Sequence, residues 1–395
     1  MRRLILPLLA APVALAACNA SADGIASGNS AAPPAAASSS ARSFVAEPVG
    51  QFEEPWAMTF LPGKDIRALV TERKGRLLLW TPGGAPVAVS GVPQVDYGGQ
   101  GGFGDVVVHP NYPQTPFVYL SWVEAGPNDT RGAVVGRARL LAVSAAAPGA
   151  PVGYQLDGLQ VIWRQAPKVE GRGHFGHRIA FGPDGKLYIS NGDRQLFDPA
   201  QDMSMTLGKV VRLNDDGSVP ADNPFASRGG ATAQIWSLGH RNILGLAFDG
   251  SGRLWSHEMG PKNGDEFNRI ERASNYGYPI VSNGNHYDGK DIPDHATRPE
   301  FNAPEISWNG LSPAGLAFYN GRLFPGWRGS FFLGGLSGQA LVRVSVDGNN
   351  AREAERWDMG ARIREVEAGP DGALYVIEDQ RGGSGGRLLR LAPAK

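Results

Sequence analysis

Short apolar runs recur along the chain, each closed by a turn signal. Pro55–Phe60 is followed by Ala68–Glu72 and Arg76–Trp80, and Asp105–His109 by Phe117–Trp122 and Val134–Leu141. Arg178–Phe181 leads to Lys186–Ser190 and Lys209–Asn214; Asn242–Phe248 to Arg253–His257 and Glu266–Glu271. The last two groups are Gly315–Tyr319, Ser330–Leu333 and Ala340–Val346, then Ile363–Ala368, Ala373–Glu378 and Gly386–Leu391. Runs this short between Gly, Pro and Asp read as strands rather than helices. One phrase repeats: an apolar run, an Asp-Gly type turn, then Leu and an aromatic residue. It stands at Phe181–Tyr188, Phe248–Trp255 and Ala368–Tyr375. A second phrase ending in Arg-Leu closes Gly208–Leu213 and Gly386–Leu391. Repeats of short strands predict an all-β fold, a six-bladed β-propeller of four-stranded antiparallel blades, with seven blades as the alternative. Long loops are expected at Glu124–Val134, Pro151–Gly173, Asp193–Leu207 and Asn283–Ser307.

Composition agrees with this picture. The 54 Gly and 30 Pro supply turns, and 16 Phe, 10 Tyr and 9 Trp suit a β core. Charge is balanced at 38 basic and 38 acidic residues, which disfavours a nucleic-acid surface. No GxGxxG follows a strand and no GxxxxGK[ST] is present, which argues against the usual nicotinamide and P-loop sites.

The N-terminus has its own logic. Basic Met1-Arg2-Arg3 precedes apolar Leu4–Ala17, too short to span a membrane comfortably, so residues 1–17 read as a signal peptide. Cys18, the single cysteine, falls at the cleavage point, as in a bacterial lipoprotein. Residues 18–45 read as an Ala/Ser/Pro-rich tether and 46–395 as one catalytic propeller domain. An exported, periplasmic protein, lipid-anchored to a bacterial membrane, is the expectation.

Polar clusters fall between the apolar runs. Gly171–Asp193 places His174 and Asp193 at the two outer ends of a predicted hairpin, where they can meet as an oriented general base. His177 lies in the same stretch without an assigned partner. Gly98–Gly102 surrounds Gln100 with glycines, which permits close backbone approach to something flat. Arg241-Asn242 can hold a carboxylate or carbonyl. His257–Glu266, with a Gly260-Pro261 turn, is rich in oxygen ligands of the kind a hard cation takes. Arg362 and Arg364, read by strand alternation, share a face and invite an anion. Trp308 adds an aromatic surface.

Taken in order, these clusters resemble the soluble pyrroloquinoline quinone (PQQ)-dependent sugar dehydrogenases, in particular the bacterial aldose sugar dehydrogenases, over about residues 50–392. The resemblance implies PQQ and Ca2+ on one rim of a six-bladed propeller, and oxidation of the C1 hydroxyl of an aldose mono- or disaccharide to the lactone. It implies His174 as base, oriented by Asp193, with hydride passing to PQQ C5. Gln100, Arg241, Asn242, Trp308, Arg362 and Arg364 fall on cofactor contacts. Gly260 and Pro261 fall on the carbonyl ligands of the PQQ-bound calcium, and Glu266 and Tyr276 on a second, structural calcium. An external electron acceptor is implied, since no CxxCH heme motif is present. The chain departs from the family at Met259, Ser337 and Asn309-Gly310, where polar cofactor contacts are usual. Those departures leave a non-redox sugar- or protein-binding propeller, or a calcium-dependent lactonase, as the competing readings.

Overall fold

Four strands make the basic unit of this molecule, and the turn chemistry of the repeated phrase shows why. In Phe181–Tyr188, Asp184 Oδ1 accepts the Lys186 N–H at 3.0 Å while Gly185 takes φ 71°, a conformation that favours glycine. The aromatic residue four or six positions on then bonds back to the turn acid. Tyr188 Oη lies 3.2 Å from Asp184, Trp255 Nε1 3.0 Å from Asp249 and Tyr375 Oη 3.3 Å from Asp371. The arginine of the second phrase completes the device from the third strand: Arg212 Nε reaches Asp184 at 3.1 Å and Arg390 Nε reaches Asp371 at 2.8 Å. The two sequence repeats are therefore parts of one hydrogen-bonded corner.

The computed structural model describes residues 40–143, 153–381 and 383–394. The signal peptide, Cys18 and the tether up to residue 39 lie outside the described residues. Among the described residues there are strands and short 3-10 turns, and no helix is long and apolar enough to cross a membrane.

The first strand, β1 (Phe44–Gln51), begins inside the stretch read as tether. Next come β2 (Pro55–Phe60), β3 (Ala68–Glu72), β4 (Arg76–Trp80) and β5 (Val87–Ser90), then β6 (Phe103–Val108), β7 (Phe117–Ala125), β8 (Arg131–Val143) and β9 (Gly153–Arg164). These two antiparallel quartets form one eight-stranded sheet through a short parallel pairing of β5 with β9. The remaining sheets are four-stranded. One is β10 (Gly176–Phe181), β11 (Leu187–Asn191), β12 (Lys209–Leu213) and β13 (Ile235–Leu238). Another is β14 (Ile243–Phe248), β15 (Leu254–Glu258), β16 (Asp265–Ile270) and β17 (Ile306–Trp308). A third is β18 (Pro313–Tyr319), β19 (Ser330–Gly335), β20 (Ala340–Asp347) and β21 (Asn350–Asp358). In the last, β22 (Ile363–Ala368), β23 (Leu374–Glu378) and β24 (Arg387–Pro393) are completed by β1, which pairs antiparallel with β24. Multiple four-stranded antiparallel sheets are the organisation expected of a propeller.

Two loop expectations are corrected. Glu124–Val134 is a tight turn between long strands, and Pro151–Gly173 is mostly the twelve-residue β9. Polar residues mark the turn between buried strands in the first stretch and a half-exposed strand in the second. Asp193–Leu207 and Asn283–Ser307 do run as irregular chain with single 3-10 turns.

The first strands of the quartets pack in sequence, β2 beside β6, then β10, β14, β18 and β22, and β22 returns to β2. Each carries one extra residue against its partner near its start: Trp56 in β2, Leu244 in β14, Gly315 in β18, Arg364 in β22, and one within Gly104-Asp105 of β6 and His177-Arg178 of β10. A bulge turns a side chain off the regular alternation. Trp56, His177, Leu244 and Arg364 all line the same cavity.

Candidate active site

The chain enters β10 through a strained approach. Gly171, His174, Gly176 and His177 all have positive φ, from 48° to 88°. For the two histidines this is an uncommon backbone state that surrounding contacts must hold. The His174 N–H donates to Gln100 Oε1 at 2.8 Å, and the Gly176 N–H donates to Asn242 Oδ1 at 3.1 Å.

Held this way, His174 Nδ1 lies 2.7 Å from Asp193 Oδ1. Asp193 also accepts backbone N–H groups of Gln195 and Phe197 and is fully buried. An ionised carboxylate only accepts, so Nδ1 carries the proton and Nε2 is a bare acceptor. Burial pushes the His174 imidazole below its usual range; the Asp193 hydrogen bond opposes this and the Arg241 charge adds to it. His174, Arg241 and Pro261 face one depression, with Phe197 and Tyr287 at its mouth, 42% and 73% exposed.

Arg241 and Asn242 sit between β13 and β14. Glu258, the last residue of β15, accepts both of their backbone N–H groups, at 2.6 and 3.2 Å, and holds His240 Nδ1 at 2.9 Å. Arg241 Nη1 donates to the Met259 carbonyl at 3.0 Å, and among the described residues its buried Nε has no hydrogen-bond partner.

Next to this depression is a cavity of about 190 Å³ lined by Gln100, Asn242, Arg362, Arg364 and, beyond the sequence-predicted set, Arg73 and Arg381. The arginine pair reaches it through the β22 bulge rather than through strand alternation, and Arg362 precedes the strand. The acid between them belongs to the protein: Asp379 Oδ2 lies 2.8 Å from Arg364 and 3.2 Å from Arg381. Burial alone would raise the Asp379 carboxyl, but Arg364 and Arg381 hold it well below the usual range. Arg364 itself is pushed down to about 10, chiefly by burial. Asp379, also 3.5 Å from Arg362 Nε, does not balance three guanidiniums, and among the described residues the buried Nε atoms of Arg362 and Arg364 make no hydrogen bond.

Other expectations change. The glycines around Gln100 make room for the protein's own backbone: a Cβ at Gly99 would lie 2.5 Å from the Arg172 carbonyl oxygen, and one at Gly102 would lie 2.2 Å from that of Arg73. Trp308 does not line the cavity. It packs in the core against Phe267 and donates Nε1 to Glu353 at 2.7 Å. The aromatic lining is Trp56 and Phe175. Gly260 and Pro261 are buried, and among the described residues no donor reaches either carbonyl oxygen. Glu266 and Tyr276 share no hydrogen bond; Glu266 accepts from Asn268, and the Tyr276 hydroxyl donates to the Arg269 carbonyl. Among the described residues no three His, Cys, Asp or Glu side chains gather as a metal site. Met259 and Ser337 do line the cavity, so these departures fall where a bound group would be touched.

Arg73, Glu258 and Asp379 were not singled out as site residues from sequence. Their shared signal is position: each stands at or just past the end of the second strand of a quartet, as Asp193 does.

The family model described as glucose/sorbosone dehydrogenase matches residues 52–390. The aldose sugar dehydrogenase YliI of Escherichia coli (strain K12) is 39% identical over 353 residues, covering 87% of this chain and 91% of that protein. The crystal structure of the soluble aldose sugar dehydrogenase from Escherichia coli in the apo form superposes with TM-score 0.80 at 36% identity, covering 89% of this chain and all of that one. The PQQ-bound form of an aldose sugar dehydrogenase from Streptomyces coelicolor gives TM-score 0.70 at 27% identity, covering 88% and 98%.

Proposed function

The chain belongs to the glucose/sorbosone dehydrogenase family, and from that premise we propose that it oxidises aldoses at C1 to lactones with PQQ and calcium. The observation that carries the proposal is the buried His174–Asp193 pair, 2.7 Å apart, facing the same depression as Arg241 beside an arginine-lined cavity.

The residues present fit the group. PQQ is flat and carries three carboxylates; the cavity offers surplus guanidinium charge, Nε atoms on Arg362 and Arg364 that make no hydrogen bond among the described residues, and indole and phenyl surfaces. Gly260 and Pro261 offer carbonyl oxygens, the donor type a hard cation takes. For the second calcium, the support is the buried Glu266, whose carboxyl is raised well above its usual range by burial and by the neighbouring Glu258, a repulsion a cation relieves. When bound, PQQ supplies the hydride acceptor and calcium polarises the receiving carbonyl.

This chain's residues then do three things. His174 Nε2 takes the proton of the sugar C1 hydroxyl. Asp193 fixes the tautomer and stabilises the imidazolium that forms. Arg241 presents a donor where negative charge builds. We also read the quartets as six blades. We take the N-terminus as a signal peptide with lipidated Cys18, placing the enzyme in the periplasm near an external electron acceptor.

The test is reconstitution. Apoprotein loaded with PQQ and calcium is expected to reduce a dye on addition of aldose, and His174→Ala to abolish turnover. Silence across an aldose panel with no PQQ binding overturns the reading. Lactone hydrolysis by quinone-free, calcium-loaded protein would favour a lactonase instead.

A further inference from the structure

His177 has no part in the chemistry above, yet it lines the same cavity as the arginines. It is 2% exposed, and its ring is held on several sides. It stacks on Trp56 with centroids 5.0 Å apart and planes 13° apart, and Phe175 meets it edge-on. A Cβ at Gly104 would stand 1.9 Å from its Cε1, so glycine there keeps the slot open.

The hydrogen bonds fix the tautomer. His177 Nδ1 lies 2.8 Å from Ser121 Oγ, and Ser121 Oγ already accepts the Asp105 N–H at 2.7 Å. Ser121 is fully buried, and its hydroxyl proton has no other acceptor among the described residues. The serine therefore donates to Nδ1, which leaves the proton of a neutral imidazole on Nε2. Burial, reinforced by Arg178, Arg194 and Arg73, pushes the imidazole down to about 3, so it stays neutral. Among the described residues Nε2 has no hydrogen-bond partner, and it is not sealed off. His174 presents a bare Nε2; His177, three residues on, presents an Nε2–H.

We propose that His177 is a cofactor-binding residue whose Nε2–H donates a hydrogen bond to an oxygen of the quinone held in the arginine-lined cavity. This rests on the PQQ reading above. The two histidines then divide the work: His174, just before β10, takes a proton from the substrate, and His177, in the β10 bulge, would help hold the acceptor.

The test measures PQQ affinity by absorbance titration of calcium-saturated apoprotein, separately from turnover. His177→Leu is expected to weaken PQQ binding about 10-fold, the size of one hydrogen bond to a buried donor. His177→Gln, which keeps an N–H, is expected to stay within about 3-fold of wild type. Ser121→Ala leaves the ring in its slot but frees the tautomer, and is expected to fall between them; it serves if His177→Leu does not fold. Wild-type binding with unchanged affinity in folded His177→Leu and Ser121→Ala overturns the His177 role alone. Absence of PQQ binding in the wild type overturns the cofactor reading and this role with it.

Discussion

His174 shows how much one carboxylate decides. Asp193 can only accept, so it dictates which nitrogen of His174 is free to act as base. Asp193→Asn is expected to lower kcat by about 10²–10⁴-fold while PQQ affinity stays unchanged, measured by dye reduction and titration. The base must be neutral, and burial holds its pKa below the ordinary 6.5. The acid limb of kcat/KM is therefore expected to have its midpoint below pH 6.5; a midpoint above it contradicts the assignment. His174 and Asp193 could be read from sequence because hairpin geometry alone brings them together. Arg73 and Asp379 could not, because they arrive from other quartets. Trp308 was misplaced because β17 turns its indole into the core, where Phe267 and Glu353 hold it.

At the scale of elements, the repeated phrase and the bulge divide the work. The Asp corner ties three strands of a quartet together, through Tyr188 and Arg212 at Asp184 and through Tyr375 and Arg390 at Asp371. Asp371→Ala removes both partners' acceptor and is expected to cost about 2 kcal/mol in urea unfolding, with activity at permissive temperature retained. The bulges in β2, β10, β14 and β22 re-aim a side chain toward the cavity. At Gly176, φ is 63° and a Cβ would lie 2.9 Å from the Gly192 nitrogen. Gly176→Ala is therefore expected to disturb His174 and His177 together, with lost turnover and weakened PQQ binding at a stability cost of about 1–2 kcal/mol. The inner strands and Asp-Gly turns were legible because they are apolar and sharply punctuated. The outer strands β5, β9 and β21 were not: they are half-exposed, so their apolar positions form no continuous buried run. The bulges were invisible, since one extra residue leaves no mark on an apolar run.

For the molecule as a whole, β1 supplies the outer strand of the sheet that holds Arg364 and Asp379, so the two ends of the described chain stabilise one wall of the cavity. Two buried histidines contribute to its response to acid. His177 and His257 are both pushed down to about 3, mainly by burial. In the unfolded chain each binds a proton below about pH 6.5, which the folded chain refuses until about pH 3. The contribution of these two histidines is therefore full above pH 6.5 and is expected to fall by about 1.4 kcal/mol per pH unit for each histidine between those limits, followed by chemical denaturation. Neither the cavity's surplus of guanidinium charge nor the histidine tautomers were legible from composition, since the chain is balanced overall. The central claim is that this scaffold holds a quinone beside a working base. The direct test is an absorbance titration of calcium-saturated apoprotein with PQQ, followed by addition of aldose. The account predicts saturable binding to wild type and His174→Ala alike, with reduction of the bound quinone only in wild type. No saturable binding to wild type, or equal reduction in both, would contradict it.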